Sequence, residues 1–272
     1  MLDPGLNSGL MGGSQVTSAG LSVRPKSIYT DGTYHRRNPT WHSEDSAWKA
    51  DQAMKMLDRH KQLAPRTVCE VGCGAGQVLV ELQNRLPRST FFSGYEISSD
   101  AFKMCLPKAN EFLHFNLLDF SEFAGEPFDL LLALDVVEHV PDYLGFLRDL
   151  RHNAHYVLFH IPLELTVHSL MRGVLMLNRN TYGHLHHFTK DTALATLQDC
   201  GYKVVDWFYT PSVVDVTQPG IKSGGSSLLR RTGFRIAPDK SVLLLGGYAL
   251  MVLTASCARG RRSALTSEGT LS

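Results

Sequence analysis

Three glycines at alternate positions close the segment Glu70-Val-Gly72-Cys-Gly74-Ala-Gly76. Glycines at this spacing let a ligand lie directly against the backbone, because no Cβ atom stands in the way. A turn built for a pyrophosphate, of the G-x-G-x-x-G kind, needs its last glycine at position 77. Gln77 is there instead, and Glu70 puts a carboxylate just before the turn. The pattern disfavours a dinucleotide and favours a nucleoside that carries an amino acid. Glu96, twenty residues beyond Gly76, ends a second apolar run. A carboxylate at that point accepts hydrogen bonds from both hydroxyls of a ribose. Groups able to handle a proton near neutral pH come later: His139 beside Glu138 and Asp135, then His184, His186 and His187. His139 falls at the rim of a strand, where a structural role competes with that of a base. His186 and His187 lie in a loop before a helix, where opening that helix competes with contacting a substrate or its proton.

The elements that must position these residues alternate. Thr67–Val71 reads as a strand, Gln77–Arg85 as a helix and Thr90–Glu96 as a strand. A helix over Ser98–Leu106 and a weaker strand over Glu111–Phe115 come next. Phe128–Asp135 reads as a strand whose run Leu130–Leu134 is continuously apolar, as in a strand buried on both faces of a parallel sheet. A helix is expected over Pro141–Leu150, a strand over Tyr156–His160, a helix over Lys190–Cys200 capped by Thr189, and a strand over Lys203–Phe208. Ser241–Ala255 reads as two strands broken at Gly246-Gly247. Upstream, Ser43 is a natural N-cap for a helix with apolar positions at Ala47, Trp48, Met54 and Leu57. Short connections between alternating elements predict an α/β fold, a doubly wound sheet with its ligand at the strand carboxyl ends.

With these motifs in place, residues 30–256 resemble the class I S-adenosylmethionine-dependent methyltransferases. Glu70–Gly76 is similar to their first motif, Gly94-Tyr-Glu96-Ile97 to their ribose-binding segment, and Phe128–Asp142 to their fourth strand with the turn after it. The last segment is close to the ubiquinone O-methyltransferase branch and to many small-molecule methyltransferases. The resemblance implies a seven-stranded, mostly parallel Rossmann-like sheet with an N-terminal helical cap, and S-adenosylmethionine as cofactor. It implies that Glu70, Gly72, Gly74 and Gly76 hold the methionine end and Glu96 the ribose. Ile97 would pack on adenine, with Asn116, Leu117 or Asp119 beside it, and Leu134 and Asp135 would line the sulfonium. The family's acid near the adenine amine is replaced here by Asn116.

The activity implied is methyl transfer to a small molecule, most simply at a hydroxyl oxygen. His139 and His187 are then candidate catalytic residues, and Trp41 and His186 candidate substrate contacts. Alternatives are an N- or C-methyltransferase of a sugar or natural-product intermediate, or a silent partner with the same fold. Asp135-x-x-Glu138-His139 with a later His187 is also similar to the metal-dependent RNA 2′-O-methyltransferases. Glu138-His139 reads equally as an ordinary helix start, and the sites assigned from sequence include no metal.

Composition narrows the classes. The 272 residues carry 27 Lys+Arg against 26 Asp+Glu, so the formal charge of +1 disfavours a nucleic-acid partner. The balance is uneven: residues 221–262 hold eight basic side chains and one acid, Asp239. Arg230, Arg231 and Arg235 are read as a solvated helix face, or as a means of steering an anionic acceptor. Five scattered cysteines fit a reducing cytoplasm better than a disulfide framework. The first 20 residues lack Lys and Arg, and no apolar run is long enough to insert in a membrane. Residues 1–24 are expected to be a flexible arm, 25–257 the methyltransferase domain and 258–272 a flexible tail, and a homodimer is allowed.

Overall fold

The computed structural model describes residues 25–211 and 224–256. The expected arm at 1–24, the tail at 258–272 and Cys257 lie outside the described residues. Seven strands form one sheet: β1 Thr67–Val71, β2 Phe91–Glu96, β3 Leu113–Leu117, β4 Phe128–Leu134, β5 Ala154–Pro162, β6 Lys203–Pro211 and β7 Tyr248–Ala255. Their order is β3-β2-β1-β4-β5-β7-β6, and β7 runs antiparallel between β5 and β6. This is the doubly wound arrangement expected from the alternating pattern. The strand order reverses at β1, so the carboxyl ends of β1 and β4 open a crevice there.

Period-2 alternation along buried strands sends neighbouring residues to opposite faces. On one face Leu130, Leu132 and Leu134 of β4 join Val68, Leu158 and Met251. They pack under α3 (Ser46–Arg59) and α4 (Gln77–Gln83). On the other face Leu131 and Ala133 join Val157, Phe159 and Val252 under α6 (Tyr143–His152) and α9 (Lys190–Asp199). The remaining helices are α1 Pro25–Thr30, α2 Thr33–Arg37, α5 Ser99–Cys105, α7 Val167–Met171, α8 Val174–Tyr182, α10 Gly224–Ile236 and α11 Pro238–Leu245. Helices α7 and α8 form the insertion between β5 and α9, and α1 and α2 precede the sheet. Among the described residues, no helix is long and apolar enough to cross a membrane.

Four local expectations change. Ser43 does not cap α3: Trp41 and His42 take left-handed backbone angles, and a single 3-10 turn at Ser43–Asp45 then leads into the helix. The buried face of α3 includes Ala50, Ala53, Met56 and Leu57 while Ala47 is exposed, so small residues carry the close packing. Strand β3 begins at Leu113 instead of Glu111, because Asn110 turns the chain by accepting a bond from the Phe112 amide, and Leu113 then pairs with Phe92. Ser241–Leu245 is helical and not a strand. Pro238 opens α11, and Gly246 and Gly247 take φ of 63° and 81° before β7 starts.

Candidate functional site

The crevice is a cavity of about 890 Å³ lined from both halves of the sheet. Its first wall is the glycine turn after β1. Gly72, Gly74 and Gly76 all have positive φ, a region that favours glycine. A Cβ on Gly72 would come within 2.8 Å of Val136, and one on Gly76 within 2.5 Å of the Phe115 ring. Gly72 and Gly74 line the cavity. Gly76 does not; it sits at the start of α4.

Glu96 fastens this turn to the end of β2. Its carboxylate accepts from the amides of Gly74 (2.9 Å), Ile97 (2.9 Å) and Ser98 (2.8 Å). Burial pushes its carboxyl up, and the three amides oppose the shift. Glu96, Ile97, Asp119, Leu134 and Asp135 all border the cavity. Asn116 and Leu117 do not. Because β3 extends to Leu117, Asn116 turns its amide to the Gly94 carbonyl (3.3 Å) and Leu117 is exposed. Leu118 takes their place at the wall. Glu70 lies buried beneath the turn, outside the cavity lining, with Oε2 lacking a hydrogen-bond partner.

Asp135, just past β4, has a φ of 55° and is the centre of a polar chain. Lys49 Nζ lies 2.7 Å from its Oδ2 and His160 Nδ1 2.5 Å from its Oδ1. His160 Nε2 lies 2.8 Å from the Thr210 hydroxyl. Burial would raise the Asp135 carboxyl, but His160 and Lys49 together hold it well below the usual carboxylate range. The chain links α3, β4, β5 and β6, and Lys49, Asp135 and His160 face the cavity.

A second polar group forms the opposite wall. The turn Val137–His139 presents Glu138 and His139, and the Glu138 carbonyl accepts from the amides of Leu185 (2.7 Å) and His186 (3.2 Å). Those bonds bring His184 beside His139, with ring centroids 4.7 Å apart. Burial, then His184, pushes the His139 imidazole down to about 3. Burial pushes the Glu138 carboxyl well above its ordinary range, with Asp135 adding to the shift. Glu164 accepts from His187 Nδ1 (2.8 Å) and the Asn178 amide (2.6 Å), and His184 Nδ1 lies 2.8 Å from its Oε1 without hydrogen-bond alignment. His187 therefore stands behind Glu164, outside the cavity lining. His186 is also outside it: Nε2 donates to the Val140 carbonyl (3.0 Å), and the ring packs on Tyr143.

An aromatic wall closes the remaining side. Tyr29, Tyr34 and Trp41 pack together, with centroids 4.8 Å apart for Tyr29–Tyr34 and 4.9 Å for Tyr34–Trp41. Trp41 lies against the open side of Gly74. Of the basic residues, Arg230 lines the cavity, whereas Arg231 and Arg235 are exposed as a solvated face should be.

Sequence reasoning assigns no site role to Lys49, His160, Tyr29 or Glu164, and notes His184 only within a run of histidines. His160 carries a usable signal, since it is a polar residue near the carboxyl end of an apolar strand, as Glu96 is. The others reach the site only through tertiary packing.

Comparison with known proteins agrees with this architecture. The chain can be superposed on magnesium protoporphyrin IX methyltransferase from Synechocystis PCC 6803, solved with bound SAH. The TM-score is 0.56, with 14% identity over 85% of this chain and 97% of that one. It also matches the plantazolicin methyltransferase BpumL in complex with SAH, with a TM-score of 0.57 and 16% identity over 85% and 93% of the two chains. A curated relative, the tRNA U34 carboxymethyltransferase of Sulfurimonas denitrificans (strain ATCC 33889 / DSM 1251), is 27% identical over 112 residues. That match spans 39% of this chain and only 37% of the relative. The methyltransferase-domain family profile covers residues 41–206, from Trp41 of the aromatic wall to Asp206 of β6. The chain belongs to the methyltransferase-domain family.

Proposed function

We propose that this protein transfers the methyl group of S-adenosylmethionine to a hydroxyl oxygen of a small-molecule acceptor. The observation that carries the reading is one continuous cavity with two chemically distinct halves. Gly72, Gly74, Glu96, Ile97, Leu118 and Asp119 supply the cofactor half, with Glu96 taking the ribose. Its Oε1 already receives two amide hydrogen bonds and its Oε2 one, so Oε2 retains a lone pair for a hydroxyl donor. The other half is bounded by aromatic rings and by the Glu138–His139–His184 group, and a small acceptor fits such a mixed surface.

Transfer from a sulfonium is an in-line displacement: the acceptor oxygen bonds to the methyl carbon as the carbon–sulfur bond breaks, and the sulfur keeps the electron pair. Alignment of the oxygen behind the methyl group supplies most of the rate. His139 lies on the wall that this oxygen must approach, and His187 acts through Glu164 as a positioning residue. Trp41 bounds both halves beside Gly74. A reducing compartment fits the four buried free thiols at Cys69, Cys73, Cys105 and Cys200.

The test is release of S-adenosylhomocysteine from labelled cofactor across phenols, sugars, amines and RNA. Turnover with hydroxyl acceptors supports the reading. Turnover confined to amines or RNA refutes the acceptor class, and tight cofactor binding with no turnover would favour the silent partner.

A further inference from the structure

We propose that Glu138, His139 and His184 form a binding site for one divalent transition-metal ion on the acceptor wall of the cavity. One donor atom from each of the three side chains lies within 4.8 Å of the other two. All three residues border the cavity. Glu138 is 1% exposed, yet both carboxylate oxygens lack a hydrogen-bond partner among the described residues. A buried carboxylate left in that condition is costly unless a cation or donor faces it.

The neighbouring hydrogen bonds fix which nitrogen of His139 is available. The Tyr29 hydroxyl lies 2.8 Å from the Tyr182 carbonyl oxygen, which can only accept, so Tyr29 is the donor there. The Tyr29 oxygen must then accept from His139 Nδ1, also 2.8 Å away. The proton of the neutral ring is thereby placed on Nδ1, and Nε2 keeps its lone pair. That lone pair stands 3.8 Å from Glu138 Oε1. The distance is too long for a hydrogen bond, even from a protonated carboxyl. Two lone-pair donors held this far apart, with a second imidazole alongside, suit a shared cation.

Further groups support the three donors from behind. Tyr29 orients His139, and Glu164 sits beside His184 while also receiving His187 and Asn178. Carboxylate and phenol partners of this kind orient metal-binding imidazoles. Two imidazoles and one carboxylate suit Mn²⁺, Fe²⁺, Co²⁺ or Zn²⁺ better than Mg²⁺ or Ca²⁺. Three protein donors leave coordination positions open toward the cavity, where an acceptor hydroxyl can bind and lose proton affinity. This role for the ion rests on the oxygen-methylation reading; the site itself does not.

The experiment uses the full chain, stripped of metal and titrated with CoCl2 while the visible absorption of bound Co²⁺ is followed. One equivalent should bind. Glu138→Gln and His184→Ala should each weaken binding by roughly 100-fold, and Tyr29→Phe by roughly 10-fold. His114→Ala, at an exposed position on β3, should leave it unchanged. Calorimetry with S-adenosylmethionine on each variant establishes that the fold is intact. Absence of Co²⁺, Mn²⁺ and Zn²⁺ binding by the parent protein overturns the site. So does Co²⁺ affinity that survives Glu138→Gln, which is close in shape to the original. Metal binding without turnover of any acceptor overturns the functional reading and leaves the site standing. Hydroxyl methylation that is undiminished after exhaustive chelation overturns the ion's role in the reaction and leaves the functional reading standing.

Discussion

Glu70 offers a measurement in which the direction and size of an effect follow from one buried group. It lies on β1 beneath the glycine turn, 3% exposed, with Oε2 unpartnered. Burial raises its carboxyl from 4.5 to about 8, against the opposing pull of Lys49. The folded protein thus keeps a proton on Glu70 over a range where the unfolded chain has released it. The associated stability is fully present below about pH 4.5 and is lost as the pH rises toward 8. At 1.36 kcal/mol per pKa unit, about 3 kcal/mol disappears between pH 5 and pH 8. Glu70→Gln removes this titration while keeping the shape. The variant should therefore gain about 3 kcal/mol on the parent between those two pH values, in urea unfolding of the cofactor-free protein. Other titrating groups are common to both proteins and cancel in the difference. Parallel pH profiles for the two proteins would refute the reasoning. A gain in the opposite direction would mean that Lys49 keeps Glu70 ionised.

Three further outcomes are expected. Glu96→Ala removes the ribose acceptor and leaves three amides without their partner, so S-adenosylmethionine affinity should fall roughly 100-fold or more by calorimetry. Affinity within about threefold of the parent would end the ribose assignment. Gly76→Ala combines a φ of 73° with a Cβ 2.5 Å from Phe115, and should cost about 2–4 kcal/mol in urea unfolding. Asp135→Asn strips Lys49 of its counter-charge and should cost about 3–5 kcal/mol, with part recovered when Lys49→Met is added. Equal thermal stability of the single and parent proteins would show that the ion pair contributes nothing.

Short-range pattern decides how much of the fold is legible in the sequence. The glycine turn, Glu96 and the continuous apolar run of β4 each depend on neighbours within a few positions, and their elements appear where that pattern puts them. Ser241–Leu245 misleads because a short apolar run fits a buried strand and a helix equally well. Asn116 and Leu117 miss the cavity because a two-residue shift at the start of β3 also moves its end. The polar groups around the cavity are the least legible. Tyr29 reaches His139 across 110 residues, and Lys49 meets Asp135 only because α3 packs over the sheet. Nothing in their immediate sequence marks such encounters.

The aromatic wall has a consequence for how specificity is distributed along the chain. The family match runs from residue 41 to 206 and contains the glycine turn, Glu96, Asp135, Glu138, His139 and His184. Tyr29 and Tyr34 precede it, and Arg230, Leu245 and Tyr248 come after it, yet all five border the same cavity. On the proposed reading, the shared middle carries the donor motifs together with Glu138, His139 and His184, while both flanks contribute to the chamber that admits the acceptor. Exchange of the flanks between relatives would be a route to new acceptors on an unchanged catalytic frame, and excision at the family boundaries would remove part of the chamber while leaving the donor motifs intact.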